Sequence, residues 1–340
     1  MRKKSKIWNK LIYAVNLFTA FLLFLTSTLS FFETQFLAVL SLFVPFLFFL
    51  NLVFLVFWLL RRKRQFLLSF LSLLFGYISF GSFYGFGEKS KEPLDSDLKV
   101  MSYNVMGFNK HGWLRIPDVE AKISDLIVLE DPDVICIQEY NETSDDWLDT
   151  YPYRRVAPYS RTVKRTIQAI LSKYPIINNG SLNLPQTSNN IIYADLVVST
   201  DTIRVYNTHL ESFKIVPSSR TFSSDQSEKN YKRLVSTFAK QQEQVKILNE
   251  HRAKSPYKTI VCGDFNNTQF SHVYKTVSGG LNDSFLEKGN GFGKTYSLKG
   301  FPLRIDYILT DPEFEVIAHK NYTERLSDHY PIMATLRLKK

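Results

Sequence analysis

Three long stretches without a charged residue fill most of the first quarter of the chain, and no other feature restricts its possible folds as strongly. They comprise residues 11–32, 36–60 and 65–87, which are 22, 25 and 23 residues long. Because a helix of about 20 apolar residues crosses the roughly 30 Å hydrocarbon core of a bilayer, each stretch is long enough to span it. The sequence therefore predicts an N-terminal membrane anchor, residues 1–87, with three transmembrane helices.

Basic residues flank these stretches and predict their orientation. Five Lys or Arg residues lie within the first ten positions, and the basic run 61–64 separates the second stretch from the third, whereas Glu33 lies between the first two. Positive flanks stay in the cytoplasm, so we expect a cytoplasmic N-terminus and an extracytoplasmic chain beyond residue 87, in a bacterial inner membrane. The alternative, a cleaved signal peptide, has an apolar region of only about 7 to 15 residues and no further spans behind it.

Most of the net positive charge of the chain comes from residues that flank these apolar stretches. The chain has 42 Lys and Arg residues and 32 Asp and Glu residues. Residues 1–94 contain 11 of the basic and 3 of the acidic residues. Residues 95–340 therefore contain 31 basic and 29 acidic residues and are close to neutral. A near-neutral domain has no surface charge that requires a polyanion, so nucleic acid is permitted rather than indicated. The stretches contain no charged residue, which argues against an ion or proton transporter.

The chain beyond the apolar segment alternates between strand and helix patterns. Residues 88–97 are polar and predict a linker, and residues 98–340 predict one catalytic domain, with helices over 117–131 and along the stripe that contains Leu234 and Leu248. Strands are predicted at residues 99–105, 134–139, 169–176, 191–199, 203–210, 259–266, 304–310 and 331–338, with a hairpin turn at residues 200–201. A polar surface loop is expected between residues 212 and 230. This mixture predicts an α/β or α+β domain with a mostly buried sheet.

Acidic, amide and imidazole side chains recur at the ends of these strands. They are Asn104, Glu139, His209, Asp264, Asn266, Asp306, Asp328 and His329. Because strand ends converge on a common edge of a sheet, these groups can meet in one site. Each alone has a structural explanation, such as a turn or a helix cap, but their recurrence at one strand after another favours a catalytic site.

These side chains lie in short motifs that resemble the endonuclease/exonuclease/phosphatase superfamily, which shares the fold of pancreatic-type deoxyribonuclease. The motifs are SYNV, DVICIQE, AILSKYPI, NTHLES, GDFN, RIDYIL and SDHYP, in the family's order. The resemblance covers roughly residues 98–340, and the chain looks like the membrane-tethered members. It implies a four-layer α/β (α+β) sandwich, in which two packed mixed β-sheets are flanked by helices. The three predicted transmembrane helices that precede this domain are not part of the resemblance.

The resemblance also implies an activity and roles for the site residues. Members hydrolyse phosphate esters with a divalent metal, so we expect a membrane-anchored phosphodiesterase or phosphatase that uses Mg²⁺, or Mn²⁺, in an in-line attack of water. The implied metal residues are Glu139, Asp328 and Asn104, the last either as an amide ligand or as a residue that orients Glu139. The implied catalytic residues are His209, Asp264, Asn266, Asp306 and His329. Asp264 would activate the water or protonate the leaving group, Asn266 would donate to a phosphoryl oxygen, and Asp306 would orient His329.

The substrate stays open at this level. His209, and Met106 in place of an acid, resemble the deoxyribonuclease, sphingomyelinase and inositol-phosphatase side of the superfamily rather than abasic-site endonucleases. Phospholipid headgroups, nucleotides, sugar phosphates and DNA all remain candidates, because the expected rim loops 107–116, 154–165 and 212–230 identify none of them. The alternatives are a nuclease acting on DNA and a catalytically silent module that binds a phosphorylated ligand; no protein partner can be inferred.

The chain has two cysteines, which excludes a scaffold held by many disulfides and a cysteine-rich zinc site. Cys136 and Cys262 precede Glu139 and Asp264 on strands that should be neighbours. We expect both to be buried thiols that pack as small apolar side chains. Whether they form a disulfide depends on a geometry that the sequence does not reveal.

Overall fold

The computed structural model describes residues 2–87, 91–141, 146–157, 166–214, 224–298 and 301–339. The α-helices are α1 Arg2–Leu29, α2 Val44–Leu60, α3 Phe66–Phe80, α4 Val119–Glu130, α5 Ser224–Ala253, α6 His272–Ser278 and α7 Ser284–Lys288. The strands are β1 Gly85–Phe86, β2 Leu98–Asn104, β3 Val134–Gln138, β4 Tyr153–Val156, β5 Ala169–Ser172, β6 Ile176–Ser181, β7 Asn190–Val198, β8 Asp201–His209, β9 Lys258–Asp264, β10 Asn282–Asp283, β11 Asn290–Gly291, β12 Tyr296–Leu298, β13 Phe301–Leu303, β14 Asp306–Thr310, β15 Phe314–Asn321 and β16 Ile332–Leu338.

The chain forms two compact units. The first comprises Met1–Phe83, Ser219–Gln242 and Thr268–Lys275, and the second comprises Tyr84–Ser218, Glu243–Asn267 and Thr276–Lys340. The apolar N-terminal segment is thus grouped with two later segments of the chain. The strands, and every predicted site residue, belong to the second unit.

Among the described residues, two helical segments of the first unit are long and apolar enough to cross a membrane, namely Ile7–Leu29 and Leu37–Leu60, the latter joining a 3₁₀ turn to α2. The third apolar helix, α3, has only 15 residues and ends before Gly81. Gly81 has φ +76° and ψ −165°, a conformation that only glycine adopts readily. The helix in the third predicted span, residues 65–87, is therefore shorter than the sequence indicates.

Polar side chains connect the three apolar helices. Asn16 of α1 donates from Nδ2 to Ser69 Oγ of α3 at 2.7 Å, and its Oδ1 accepts from Trp58 Nε1 of α2 at 3.0 Å. Asn16 and Ser69 are fully buried. Such interhelical hydrogen bonds stabilise helix packing in an apolar surrounding.

The second unit contains two six-stranded sheets. The first sheet has the strand order β15-β16-β2-β3-β5-β4, and the second sheet has the order β10-β14-β9-β8-β7-β6. One pair in each sheet is parallel, β2 with β3 and β8 with β9, while the other pairs are antiparallel. Both sheets are therefore mixed, which confirms the predicted α/β class.

The sheets pack face to face, and helices cover their outer faces. Val100 of β2 lies in the core between the sheets with Ile260 of β9, whereas the next residue, Met101, packs on the outer side with Ile123 of α4. Successive side chains of a strand point to opposite faces, so the central strands are buried on both. On the outer side of the second sheet, His251 of α5 contacts Tyr206 of β8. The layers of the second unit are therefore helix, sheet, sheet and helix, as the resemblance implied.

The predicted strand over residues 169–176 is in fact two strands. β5 ends at Ser172 and pairs with β3 in the first sheet, while β6 begins at Ile176 and pairs with β7 in the second. Pro175 lies between them and has no N–H to donate to a ladder. The apolar run therefore crosses from one sheet to the other, which a single apolar pattern cannot reveal.

Two further boundaries differ from the sequence analysis. The hairpin turn lies at residues 199–200, one residue earlier than predicted, because Val198 pairs with Asp201 and Ser199 takes φ +54°. Helix α5 begins at Ser224, so the end of the predicted loop 212–230 is helical; residues 215–223 lie outside the described part of the chain.

Both cysteines are free and fully buried. They lie in the core between the sheets, Cys136 on β3 and Cys262 on β9. Burial raises the pKa of the Cys136 thiol, and the neighbouring Cys262 raises it further. The two thiols therefore act as small core side chains, as predicted.

Candidate active site

The predicted site residues lie where strands of both sheets end. Asn104 ends β2 and is in register with Gln138, the last residue of the parallel strand β3. In the second sheet, His209 ends β8 and is in register with Asp264, the last residue of the parallel strand β9. The carboxyl ends of parallel neighbours meet at one edge, so the residues converge as the sequence predicts.

Asp306 reaches this edge differently from the prediction. It is the first residue of β14 and not a residue at a carboxyl end, and it pairs with Asp264 because β14 runs antiparallel to β9. Asp328 and His329 similarly precede β16, which runs antiparallel to β2. An antiparallel strand begins beside the end of its neighbour, so the amino ends of β14 and β16 complete the site.

Gly263 determines how closely β8 approaches β9 next to the site. Its φ is +137°, and a Cβ at this position would lie 1.9 Å from the carbonyl oxygen of Thr208. Only glycine allows both this conformation and this contact. The glycine of the GDFN motif is therefore required for Asp264 and His209 to lie side by side.

Glu139 follows β3 with φ +50°, a left-handed conformation that is uncommon for a residue with a side chain. Its side chain is 35% exposed, and Oε1 lies 3.4 Å from Asn104 Nδ2 and 3.9 Å from His209 Nε2. Burial raises the pKa of its carboxyl against the opposing hydrogen bond from Asn104, and the nearby charge of Asp328 raises it further. This conformation turns the chain directly after the last residue of β3.

Asp264 is held rigidly by two amides. Its Oδ2 accepts from Asn104 Nδ2 at 3.1 Å and from Asn266 Nδ2 at 3.2 Å, and its Oδ1 accepts from the backbone N–H of Asn266 at 2.7 Å. The Asn266 amide also donates to the carbonyl of Leu210 at 3.0 Å, so in this structure it orients Asp264. Burial raises the pKa of Asp264 to about 6, although the His329 charge acts in the opposite direction. A carboxyl that titrates near neutral pH suits proton transfer.

His329 and Asp306 form a buried ion pair. The ring Nδ1 lies 2.9 Å and 3.2 Å from the two Asp306 carboxylate oxygens, and Nε2 lies 3.6 Å from Asp264 Oδ2. Burial favours the neutral ring, but the combined charges of Asp306 and Asp264 outweigh it and raise the pKa of His329 to about 10. His329 is therefore a cation at neutral pH, with its second N–H directed towards Asp264.

The pKa of His209 is shifted in the opposite direction from that of His329. Its Nε2 lies 3.7 Å from Asp264 Oδ2, and its Nδ1 lies 3.4 Å from the hydroxyl of Thr166. Burial lowers the pKa of the ring more than the charge of Asp264 raises it. The site thus places one neutral and one cationic imidazole next to the same carboxylate oxygen, Asp264 Oδ2.

A buried amide network below the site was missed by the sequence analysis. Gln138 of the first sheet donates from Nε2 to Asn207 Oδ1 of the second sheet at 2.7 Å, and Asn207 Nδ2 donates to the carbonyls of Ile137 and Ala169 at 2.8 and 2.9 Å. Gln138 and Asn207 are fully buried. The signal was present, because each amide lies within two residues of a site residue, and Gln138 ends a strand that is otherwise apolar.

Residues near 295 add an unpredicted wall to the site. The Tyr296 ring lies 4.9 Å from the His329 ring, and Lys294 donates to the Tyr330 hydroxyl at 2.9 Å. Of the predicted rim loops, residues 158–165 and 215–223 lie outside the described part of the chain. The described rim is therefore aromatic and basic next to His329.

Comparison with known proteins agrees with this geometry. Residues 101–329, two thirds of the chain, match the model of the Endonuclease/Exonuclease/phosphatase family. The chain belongs to this family, whose members are generally phosphoesterases and nucleases. Residues 9–83 match a separate domain of unknown function (DUF8431). No curated protein matches the chain.

Solved structures share the fold. D. rerio TDP2, in a complex with a single-strand DNA product, is 17% identical with a TM-score of 0.52, over 72% of this chain and 100% of that one. The human Nocturnin catalytic domain with bound sulfate is 17% identical with a TM-score of 0.52, over 73% and 97%. An endonuclease/exonuclease/phosphatase from Beutenbergia cavernae is 18% identical with a TM-score of 0.52, over 72% of each chain. At these identities the likeness shows the fold and not the substrate.

Proposed function

We propose that this protein is a divalent-metal-dependent phosphoesterase that hydrolyses phosphodiester or phosphomonoester bonds by in-line attack of water. The observation that carries this proposal is the arrangement around Asp264, whose Oδ2 lies 3.6 Å from the cationic His329 ring and 3.7 Å from the neutral His209 ring, with the Glu139 carboxylate 3.9 Å from His209. In the proposed division of the chain, residues 98–340 form the catalytic domain, residues 88–97 the linker and residues 1–87 a membrane anchor.

Glu139 and Asp328 fit a magnesium site. Mg²⁺ commonly takes one or two carboxylates and completes its octahedron with water and substrate phosphate. The Glu139 carboxylate is partly exposed, Asp328 is exposed, and burial disfavours the charged form of Glu139, so a cation there would stabilise it. A bound Mg²⁺ or Mn²⁺ would neutralise charge on the phosphoryl and leaving oxygens. Asn104 directs its N–H groups to Glu139 and Asp264, so we assign it an orienting role.

Asp264, Asp306 and His329 also bring ligand atoms within 4.8 Å of one another and could hold a metal. However, a pKa of about 10 keeps the His329 ring protonated at neutral pH, and a ligating imidazole must be deprotonated. We therefore assign this group to proton transfer and not to the metal.

The protein groups have separate tasks in the proposed reaction. Asp264, with a pKa of about 6, accepts the proton of the attacking water or returns it to the leaving group. His329 donates its Nε2–H to a phosphoryl oxygen and stabilises the charge that develops there. Asp306 keeps His329 cationic, and neutral His209 supplies a further hydrogen bond to the phosphate.

The first test is hydrolysis by the full chain in detergent. We expect cleavage of bis-p-nitrophenyl phosphate or p-nitrophenyl phosphate with Mg²⁺ or Mn²⁺, and none with EDTA. His329→Ala should lower the rate by about 10²- to 10⁴-fold, because it removes a charged donor and acid. The preferred ester distinguishes diesterase from monoesterase. Metal-independent cleavage, or an unchanged rate in the variant, would refute the proposed site; the absence of any cleavage would favour the binding-module alternative.

We further propose that three helices cross the membrane and place the catalytic domain outside the cytoplasm. Arg61 donates from Nη1 to Asn9 Oδ1 at 3.2 Å, which supports a cytoplasmic location of both basic flanks at one end of α1 and α2. The short α3 is the critical element. With two spans the domain would be cytoplasmic, and with three it would be extracytoplasmic.

Fusions of alkaline phosphatase, which is active only where its disulfides form, test this topology in bacteria. We expect active enzyme after Gln35, inactive enzyme after Arg64 and active enzyme after Leu98. Activity after Gln35 but not after Leu98 would mean that α3 does not cross, and the domain would then be cytoplasmic.

A further inference from the structure

Three exposed aromatic rings form a cluster in the second unit, which we call the aromatic patch: Tyr84, Phe86 and Phe292. The ring centroid of Tyr84 lies 5.3 Å from that of Phe86 and 5.1 Å from that of Phe292. The three residues are 41%, 87% and 64% exposed. Single exposed apolar residues are ordinary, but grouped ones mark an interaction surface.

The patch stands on a fixed backbone. β1 pairs with β11, so that Gly85 lies opposite Gly291 and Phe86 opposite Asn290. A Cβ on Gly85 would lie 2.2 Å from the carbonyl oxygen of Gly289, so the two segments approach more closely than a side chain allows. Because the backbone that carries the rings is paired before any partner binds, binding has to order side chains only and not the chain itself.

The position of the patch along the chain indicates what it faces. Tyr84 is the fourth residue after Phe80, where α3 ends. The 15 residues of α3 span about 22 Å, roughly 8 Å less than the hydrocarbon core, and extended residues add about 3.3 Å each. If α3 starts at the basic flank 61–64, the next few residues complete the crossing. Tyr84 and Phe86 then emerge at the opposite headgroup region, where Tyr and Trp side chains are enriched.

The chain between α3 and the patch is suited to this depth. Non-helical backbone is tolerated within the membrane only where protein groups satisfy its hydrogen bonds. Within the first unit, Gln269 Nε2 donates to the carbonyl oxygens of Phe80 at 3.0 Å and Ser82 at 3.1 Å. The Phe83 ring stacks on Phe270, with centroids 4.7 Å apart. The segment that leaves the helix is therefore both hydrogen-bonded and covered by apolar rings.

We propose that the aromatic patch inserts into the phospholipid interface of the leaflet at which α3 ends, and so holds the catalytic domain on the lipid surface. This inference rests on the proposed membrane anchor. Its occupant is the headgroup and upper acyl region of the bilayer, because three residues separate Tyr84 from the end of α3, Tyr is enriched at the headgroup level, and exposed Phe rings suit the acyl boundary beneath it. A protein docked on the patch is the competing outcome.

A fluorescent probe on the patch tests the proposal. Both native cysteines are fully buried, so in Phe292→Cys of the full chain a thiol-reactive NBD dye labels the introduced site. The labelled protein is reconstituted into phosphatidylcholine liposomes with and without brominated acyl chains. We expect brominated lipid to quench the probe. Ile177→Cys, 56% exposed on the edge strand β6, is the matched control and should not be quenched.

A second probe separates this inference from the anchor itself. Phe70→Cys lies on α3 at a position 45% exposed, and it should be quenched in any preparation in which α3 is in the bilayer. Quenching at Phe70 and Phe292 but not at Ile177 supports the patch. Quenching at Phe70 alone overturns the patch and leaves the anchor intact, and a probe at Phe292 that is shielded from water without bromine quenching indicates a protein partner instead. No quenching at Phe70 overturns the anchor and the patch together.

Discussion

Glu139→Gln is expected to abolish metal-dependent turnover and to leave the fold intact. The substitution keeps the size of the side chain and the same backbone cost at φ +50°, but it removes the charge that we assign to the metal. A metal contributes several kcal/mol of transition-state stabilisation, so kcat/KM should fall by about 10³-fold or more. The measurement is hydrolysis of the nitrophenyl esters over a Mg²⁺ titration, with Mn²⁺ binding followed by electron paramagnetic resonance.

The matched control is Glu315→Gln. Glu315 pairs with Lys91 near the surface, on a strand that carries no predicted site residue. Surface ion pairs are worth little, so both turnover and Mn²⁺ binding should be unchanged in this control. If Glu139→Gln keeps wild-type turnover at the same Mg²⁺ concentration, Glu139 does not bind the metal.

Gly263→Ala is expected to have the largest effect on stability. The new methyl group would lie 1.9 Å from the Thr208 carbonyl oxygen, and the backbone would keep φ +137°. An unfavourable backbone conformation and an overpacked contact each cost about 1–3 kcal/mol. Together they should lower the Tm by about 10 °C or more, or prevent folding, as measured by circular dichroism in detergent.

Gly280→Ala separates the two contributions. Gly280 also has a positive φ, +76°, but among the described residues no atom beyond its chain neighbours lies within 4 Å of the place that the new methyl group would take. It should therefore cost only the conformational part, about 1–2 kcal/mol, and a correspondingly smaller drop in Tm. Equal losses in the two variants would mean that the close approach of β8 and β9 is not what requires Gly263.

Much of the architecture can be predicted from the sequence because it depends on local patterns. The central strands are buried on both faces and read as continuous apolar runs, so β3 and β9 lie close to the predicted ranges. Helix α4, Val119–Glu130, falls within the predicted range 117–131. The strand prediction fails where the same local pattern is compatible with one strand or with two. At Pro175, one apolar run supplies a strand to each of the two sheets.

The structure brings together most of the residues that the motifs single out for the candidate site. Every residue named from the motifs lies in the second unit, and Asn104, Glu139, His209, Asp264 and His329 are connected by contacts below 4 Å. Their roles stay predictions. Asn104 was expected as a metal ligand or an orienting residue and Asn266 as a donor to phosphate, and in this structure both direct amide hydrogens to Asp264.

The sequence by itself determined which groups are available for chemistry and which strand ends carry them, because motifs and apolar periodicity are properties of neighbouring residues. Only the tertiary structure decided the protonation states of these groups. His209 and His329 are identical as side chains, but burial dominates the pKa of one and the charges of Asp306 and Asp264 dominate the pKa of the other, so one ring is neutral and the other cationic. Such a difference depends on distances between strands that are far apart along the chain, and a pKa follows those distances.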